Sequence, residues 1–182
     1  AINDDDGDRS GSGTVIEDDA GSAYVFTHSN GEWTEQTELL PDDRAQDDQF
    51  GTAIAVSDDG ATAVITASED GNKNGDGAGS AYVFTRSGET WTQQVKLLPN
   101  DGDRDDSFGN AVAVSAGGAT VVVGTADDDV TNGENAGSAY VFRQSDGTWT
   151  QQKKLIVDDG DRGDAFGSSI ALASDGVPAI IS

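Results

Sequence analysis

Oxygen-bearing side chains alternate along one short loop of the chain. Four of them stand at every second position: Asp70, Asn72, Asn74 and Asp76. This spacing, with Gly75 at the sixth position, is typical of loops that wrap a calcium ion, although Ala81 stands where an EF-hand has Glu. The loop therefore predicts a Ca²⁺ site. The alternative is an Asn/Gly turn that tolerates positive φ.

A second acidic stretch precedes a Phe-Gly pair. Asp101, Asp103 and Asp105 also alternate, a spacing that allows chelation of a divalent cation. Aspartates at equivalent places recur along the chain: Asp43, Asp101 and Asp159, and Asp48, Asp106 and Asp164. The competing interpretation is that these carboxylates accept backbone N–H bonds in turns and solvate the surface.

The residues for other common chemistries are missing or unmarked. The sequence has no Cys, and its single histidine, His28, aligns with Arg86 and Gln144 before a turn, so no catalytic triad can be built around it. Paired carboxylates run glycoside hydrolysis in some enzymes, but nothing in the sequence marks a buried pair. We therefore predict that the chain is not an enzyme.

Three tryptophans recur at one interval: Trp33, Trp91 and Trp149. They offer sugar-stacking platforms of a lectin, or large side chains that fill the space between sheets. Each tryptophan lies in a strand in which apolar and polar residues alternate, and this position favours packing between sheets.

The elements that carry these residues belong to a tandem repeat. The segment from Ala20 to Phe26 returns unchanged from Ala78 and from Ala136, at intervals of 78 − 20 = 58 and 136 − 78 = 58 residues. Phe-Gly at 50, 108 and 166 keeps the same interval. Counterparts of the calcium-type loop keep Asp128, Asn132 and Glu134 in one unit and Asp18 in another. A period of this length indicates a propeller, a solenoid or an array.

Each unit reads as four short strands and no helix. In the unit 50–98, two β-branched runs flank an Asp-Gly turn. A third run is apolar on both faces, and in the fourth run apolar and polar residues alternate. The alternation predicts that Trp91, Val95 and Leu97 share one face, with Lys96 on the other. We expect the first three strands to be buried on both faces. The prediction is an all-β protein, a β-propeller of four-stranded antiparallel blades.

The repeat divides the chain into two whole blades and two terminal half-blades. The half-blades span 20–40 and 166–182, the blades span 50–98 and 108–156, and all lie in one propeller segment covering 1–182. Propellers typically have about four to eight blades. The hypothesis is that the ring is completed by self-association with a second copy or by further units of a longer polypeptide.

The charge restricts the partners. Ten basic residues face 34 acidic ones, giving a formal net charge of −24. This charge repels phosphate backbones and anionic membranes, so we expect no nucleic acid partner, and the absence of a long apolar run predicts no membrane insertion. Such acidity is typical both of proteins from high-salt organisms and of acidic secreted proteins that bind divalent cations. Both interpretations stay open.

Phe-Gly before the first strand, Gly-Ser-Ala-Tyr-Val-Phe in the third and Trp in the fourth resemble FG-GAP repeats of the integrin α-subunit type, particularly the secreted bacterial and archaeal versions. The resemblance implies a β-propeller at the cell surface or outside the cell, with calcium in blade loops and a role in adhesion or protein contacts. The family's long calcium loop is reduced here to short turns such as Asp58-Asp59-Gly60.

We accordingly expect a non-enzymatic extracellular module for adhesion, structure or protein binding, which displays acidic loops that Ca²⁺ bridges. The alternative is a carbohydrate-binding propeller. The partner is expected to be a protein or glycan surface.

Overall fold

The computed structural model describes residues 19–130 and 133–182. Within these residues the chain forms twelve β-strands. They are β1 (Ala23–Ser29), β2 (Glu32–Leu39), β3 (Phe50–Val56), β4 (Thr62–Ala67), β5 (Ser80–Ser87), β6 (Thr90–Leu97), β7 (Val112–Val114), β8 (Thr120–Thr125), β9 (Ser138–Ser145), β10 (Thr148–Leu155), β11 (Ile170–Leu172) and β12 (Ala179–Ile181). The described part contains no helix long and apolar enough to cross a membrane.

The strands form antiparallel sheets in chain order. Strands β3 to β6 make one four-stranded sheet and β7 to β10 make another, while β1–β2 and β11–β12 are two-stranded. Each four-stranded sheet has the up-and-down order of a propeller blade, because strands that follow each other in sequence are neighbours in the sheet. The division of the chain into two whole blades and two terminal half-blades stays a prediction, and we use these names for the four-stranded and the two-stranded sheets.

Aromatic side chains fill the spaces between neighbouring sheets. Phe108 is fully buried and meets the rings of Tyr140 and Phe142 edge-on, at centroid distances of 5.7 and 6.0 Å. These rings pack against Val64 and Val83 of the preceding blade. Phe50 makes the equivalent contacts one unit earlier. Edge-to-face pairs of this kind add to the area that they bury.

A glycine lets two neighbouring units meet at their backbones. Gly79 has φ +78°, and a Cβ at this position would lie 2.2 Å from the carbonyl oxygen of Phe108. The amide of Phe108 donates to the carbonyl of Ala78 at 3.0 Å. We call this contact the Gly–Phe junction. It recurs at Gly21 with Phe50 and at Gly137 with Phe166, which explains why both motifs keep the same interval.

The fourth strand departs from simple alternation. The register between β5 and β6 pairs Val83 with Val95 but Phe84 with Gln93, so Gln94 is an extra residue in a β-bulge. A bulge of this kind rotates the following residues to the opposite face. The prediction that Trp91, Val95 and Leu97 share one face is therefore wrong. Trp91 packs beside Tyr82 and Phe84, whereas Val95 and Leu97 belong to the cluster on the other side.

The first strand of the earlier blade is more exposed than predicted. Ile54 and Val56 in β3 are 52% and 54% exposed, although their counterparts Val112 and Val114 pack against the core. The reason is that β3 faces the side where the half-blade β1–β2 supplies only two strands. Complete burial of the first three strands is thus a wrong prediction for this blade.

The strand directions place the long loops on one side of the row of sheets. The ends of β2, β4, β6, β8 and β10 lie on this side, and each leads into an acidic segment. We call these segments the loop face; they are residues 40–49, 68–79, 98–107, 126–137 (described except 131–132) and 156–165. The opposite side, the turn face, carries the short turns, such as the one through Asp58.

Candidate functional site: the acidic loop face

A lysine on the fourth strand joins two acidic segments of the loop face. Lys96 Nζ lies 2.6 Å from Asp43 Oδ2, in the linker before its blade, and 2.8 Å from Asp70 Oδ2, in the loop before β5. Its ammonium also lies 5.2 Å from the centre of the Tyr82 ring. The Asp70 carboxylate is buried and accepts a hydrogen bond from the Ser80 hydroxyl. We call this arrangement the lysine bridge.

The lysine bridge recurs in the next blade. Lys154 Nζ lies 3.1 Å from Asp101 and 2.8 Å from Asp128, and it lies over the ring of Tyr140 at 5.2 Å. The Tyr140 hydroxyl donates to Asp128 at 3.0 Å. Two independent copies with the same partners indicate that the repeat sequence encodes the bridge.

The electrostatics of the bridge favour the charged pair. Partial burial opposes ionisation of Asp43, but the hydrogen bond and the charge of Lys96 outweigh it and lower the pKa of this carboxyl. Burial likewise opposes the charge on Lys96, and its contacts with Asp43 and Asp70 more than compensate, so the pKa of the ammonium is raised. Burial and the charge of Asp70 raise the pKa of the Tyr82 phenol. Lys96 is therefore a cation, and Tyr82 is neutral, at physiological pH.

A second pair of aspartates is buried beside the bridges. Asp48 Oδ2 accepts the Ala45 amide at 2.7 Å, and Asp106 Oδ2 accepts the Asp103 amide at 2.6 Å. This confirms the interpretation that these carboxylates bond backbone N–H groups. Burial raises the pKa of both carboxyls to about 6, and the nearby charges of Asp70 and Asp128 act in the same direction.

The raised pKa values make stability depend on pH. A carboxyl whose folded pKa exceeds its unfolded value contributes stability that is complete below about pH 4 and is lost as pH rises through about 6. We expect the double variant Asp48→Asn/Asp106→Asn, which keeps an acceptor oxygen, to raise the free energy of unfolding at pH 7.5 by about 1 kcal/mol per site and to change it little at pH 4.5.

Urea unfolding at both pH values tests this expectation. The control is Asp58→Asn/Asp146→Asn, which removes two exposed charges from the turn face. If the control stabilises the fold as much as the buried pair at pH 7.5, general charge repulsion rather than local burial accounts for the effect.

The predicted calcium loop is held by internal hydrogen bonds. Asp70 faces Lys96, and the Asn72 side chain donates to the Gly79 carbonyl at 2.8 Å and accepts the Asn74 amide at 2.9 Å. The Asn74 side chain donates to the Pro99 carbonyl at 3.0 Å. These contacts fix the loop to its own strand and to the next linker.

The remaining predicted ligands lie further out on the loop face. Asp76 and Asp105 are 84% and 76% exposed at the side chain, and both contact Arg104, at 3.2 and 3.4 Å. Asp103 is exposed, while Asp101 is held by Lys154. The structure thus divides the seven residues between two lysine bridges, a loop frame and an exposed group around Arg104.

No three acidic or histidine side chains of the described residues converge as ligands of one metal ion. The Ca²⁺ site stays a prediction for these loops. Asp18 and Asn132 of the counterpart loops lie outside the described residues. What the loop face offers is exposed carboxylates on segments that the lysine bridges hold in place.

Sequence reasoning did not identify Lys96 and Lys154 as members of this site. Alternation assigned Lys96 to a solvent-facing side, and the bulge at Gln94 reverses that assignment. One signal was available, because the two lysines are 58 residues apart (154 − 96 = 58) and keep the same offset from Asp43 and Asp101.

The tryptophans take two positions. Trp91 and Trp149 are partly buried and pack against the clusters between sheets. Trp33 is 70% exposed, and its ring lies 5.1 Å from that of His28. Packing therefore accounts for two of the three predicted sugar platforms.

Comparison with solved structures gives matches from several organisms. The periplasmic gluconolactonase PpgL of Pseudomonas aeruginosa is similar over 93% of this chain and 44% of its own, with a TM-score of 0.50 and 13% identity. A second match is TolB of Acinetobacter baumannii, which covers 87% of this chain and 31% of its own, with a TM-score of 0.45 and 17% identity. A third is Sqt1 of Saccharomyces cerevisiae, which covers 77% of this chain and 31% of its own, with a TM-score of 0.47 and 13% identity. The chain spans less than half the length of each of these proteins.

None of the curated protein sequences is significantly similar to this chain. The family model described as FG-GAP repeat matches residues 33–84, 91–142 and 149–182. These matches cover most of the chain and follow its repeats, and the antiparallel sheets are those of a β-propeller. The chain therefore belongs to the FG-GAP repeat family.

Proposed function

We propose that this chain is an extracellular, non-enzymatic protein-binding module of the adhesion type, and that the loop face is its contact surface. FG-GAP repeats are generally non-enzymatic, form protein-binding propellers and are typically extracellular. These properties support the class of function. The position of the contact surface is argued from the residues of the loop face.

The observation that carries the proposal is the combination of exposed charge and a fixed frame. Asp76 and Asp105 project from segments whose bases are held by Lys96 and Lys154. Fixed carboxylates lose little conformational freedom on binding, and a surface of one sign accelerates association with an oppositely charged partner. The partner that fits is a protein surface rich in Lys and Arg, or an acidic surface joined through divalent cations.

A pair of variants with equal net charge tests the position of the surface. The loop-face variant is Asp76→Asn/Asp103→Asn/Asp105→Asn, and the turn-face control is Asp58→Asn/Glu89→Gln/Asp146→Asn. All six positions are exposed. We expect the loop-face variant to bind an immobilised folded basic protein, such as lysozyme, about tenfold more weakly than the unchanged chain, because local charge governs encounter within a Debye length. The control is expected to change binding less than about twofold.

Surface plasmon resonance at 0.15 M salt measures both affinities. Equal loss in the two variants would show that net charge alone attracts the probe, and it would overturn the assignment of the loop face. The same chip with an acidic protein, with and without Ca²⁺, tests cation bridging. Binding to a glycan array that is lost in Trp33→Ala would favour the carbohydrate-binding alternative.

A further inference from the structure

The dipeptide Asn-Gly occurs three times in the chain, at residues 30, 74 and 132. Asn132 lies outside the described residues, and the other two asparagines have different surroundings. In this dipeptide the asparagine side chain and the next main-chain nitrogen approach each other easily, because glycine has no Cβ in the way. Two groups held so close within one chain react far faster than they would as separate molecules.

Asn30 and Gly31 form the two-residue turn between β1 and β2. Their φ angles are +52° and +86°, and the flanking Ser29 and Glu32 pair with each other, as in a type I′ hairpin turn. Both turn residues are exposed, and no other described residue has an atom within 4 Å of the position of a Cβ on Gly31. Among the described residues, the side chain of Asn30 has no hydrogen-bond partner. The side-chain amide and the Gly31 nitrogen are therefore unrestrained.

The exposure of this turn does not come from its place at the end of the row of sheets. Its counterparts in the repeat are residues 88–89, between β5 and β6, and residues 146–147, between β9 and β10. All four of these residues are exposed, although the sheet β3–β6 packs against a neighbouring sheet on each side. The turn between the third and fourth strands is thus open to solvent in each unit.

Asn74 and Gly75, in contrast, are restrained at both groups. The Asn74 side chain donates to the Pro99 carbonyl at 3.0 Å, and the Gly75 nitrogen donates to the Asn72 carbonyl at 3.0 Å. Gly75 also packs closely against Arg104, since a Cβ on Gly75 would lie 2.8 Å from the Arg104 Cβ. A reaction between the two groups requires that this loop first opens, and the free energy of opening adds to the barrier.

We propose that Asn30 is a site of spontaneous deamidation, at which the main-chain nitrogen of Gly31 attacks the side-chain carbonyl carbon Cγ of Asn30. A bond forms between this nitrogen and Cγ, and the bond between Cγ and Nδ2 breaks. The side-chain amino group leaves as ammonia, with the proton of the Gly31 nitrogen. Water then opens the resulting succinimide ring. The product is aspartate when the new bond to Cγ breaks, and isoaspartate when the original peptide bond breaks.

The reaction changes the turn face and leaves the loop face as it is. Either product makes the formal net charge one unit more negative than −24, and the new carboxylate lies two residues before the exposed Glu32. Isoaspartate also adds one carbon atom to the main chain within the turn. The length of a hairpin turn sets the register of its strands, so this product loosens the pairing of β1 with β2 at the turn.

Peptide mapping of the full chain by mass spectrometry, after incubation at neutral pH, tests the proposal. In the folded chain we expect Asn30 to deamidate at least about tenfold faster than Asn74, because only Asn74 reacts through opening of a restrained loop. In urea that unfolds the chain, we expect the two rates to agree within about twofold, since glycine follows both asparagines. Equal rates in the folded chain, or a faster reaction at Asn74, would contradict the proposal.

A matched variant separates the turn from its place in the chain. Gly88→Asn/Glu89→Gly gives the same Asn-Gly turn to the sheet β3–β6, which has neighbours on both sides. We expect its new asparagine to deamidate within about threefold of the rate at Asn30, because turns of one type at equivalent positions restrain the two groups equally. A rate as low as that at Asn74 would overturn the assignment of the reactivity to this turn. Neither experiment depends on whether the loop face binds a basic protein.

Discussion

The variant Lys96→Met is expected to lower the free energy of unfolding by about 3 kcal/mol. Methionine keeps most of the length of the side chain but removes the cation that faces Asp70, which is 2% exposed, and Asp43. Loss of one partner leaves a buried carboxylate without its counter-charge, and this is more costly than loss of a surface ion pair. Unfolding by urea, which is uncharged and does not screen the ion pair, measures the change at low and at high salt concentration.

Two controls separate the bridge from net charge. Lys73→Met removes an equal charge from an exposed site in the same loop and is expected to change stability by less than about 0.5 kcal/mol. The double variant Lys96→Met/Asp70→Asn removes both charges and is expected to recover about half of the loss. If Lys73→Met and Lys96→Met are equally unstable, the bridge contributes nothing specific.

The variant Gly79→Ala is expected to cost about 3 to 5 kcal/mol, or to prevent folding of the junction between the two blades. Its backbone has φ +78°, which L-residues with a Cβ disfavour by about 1 kcal/mol. The larger part of the cost is steric, because the new methyl group would lie 2.2 Å from the Phe108 oxygen and 2.5 Å from its amide nitrogen. Both contacts are with backbone, so no side-chain rotation relieves them.

Gly88→Ala is the matched control for this prediction. Gly88 has φ +63°, and no atom lies within 4 Å of the position of an added Cβ. The Gly88→Ala variant therefore has the conformational cost of positive φ without a steric clash, and we expect its free energy of unfolding to fall by about 1 kcal/mol. Thermal unfolding of both variants measures the difference. Equal destabilisation would mean that the Gly–Phe junction does not restrict the side chain.

The fold was predictable because its signals repeat. A strand pattern that occurs once is ambiguous, but the same Phe-Gly, Tyr-Val-Phe and Trp positions at one interval exclude most alternatives. Alternation failed at the fourth strand, where the extra residue Gln94 changes the face of every residue after it. A bulge depends on how two strands fit together, so alternation within one strand does not reveal it.

The candidate site was less predictable than the fold. The recurrence of the aspartates is visible in the sequence, but it is compatible both with chelation of a cation and with carboxylates that bond backbone N–H groups and solvate the surface. Burial decides the role of Asp70 and Asp48, and it depends on contacts between residues far apart in sequence, such as that of Asp70 with Lys96. Asp76 and Asp105 are among the residues that the sequence predicts as ligands. Their shared contact with Arg104 is not predictable, because it depends on how closely two loops approach each other.

The lysine bridge also has a consequence for the kinetics of folding. Lys96 and Asp43 are 53 residues apart in sequence, so their contact encloses a complete blade between the linker that enters it and its last strand. Closing a loop of this length has an entropic cost that is recovered only when the fourth strand arrives. We therefore expect the hairpins to form first and the complete blade to form afterwards as one unit. The contact order of the chain is set more by these long-range contacts than by the short-range contacts within hairpins.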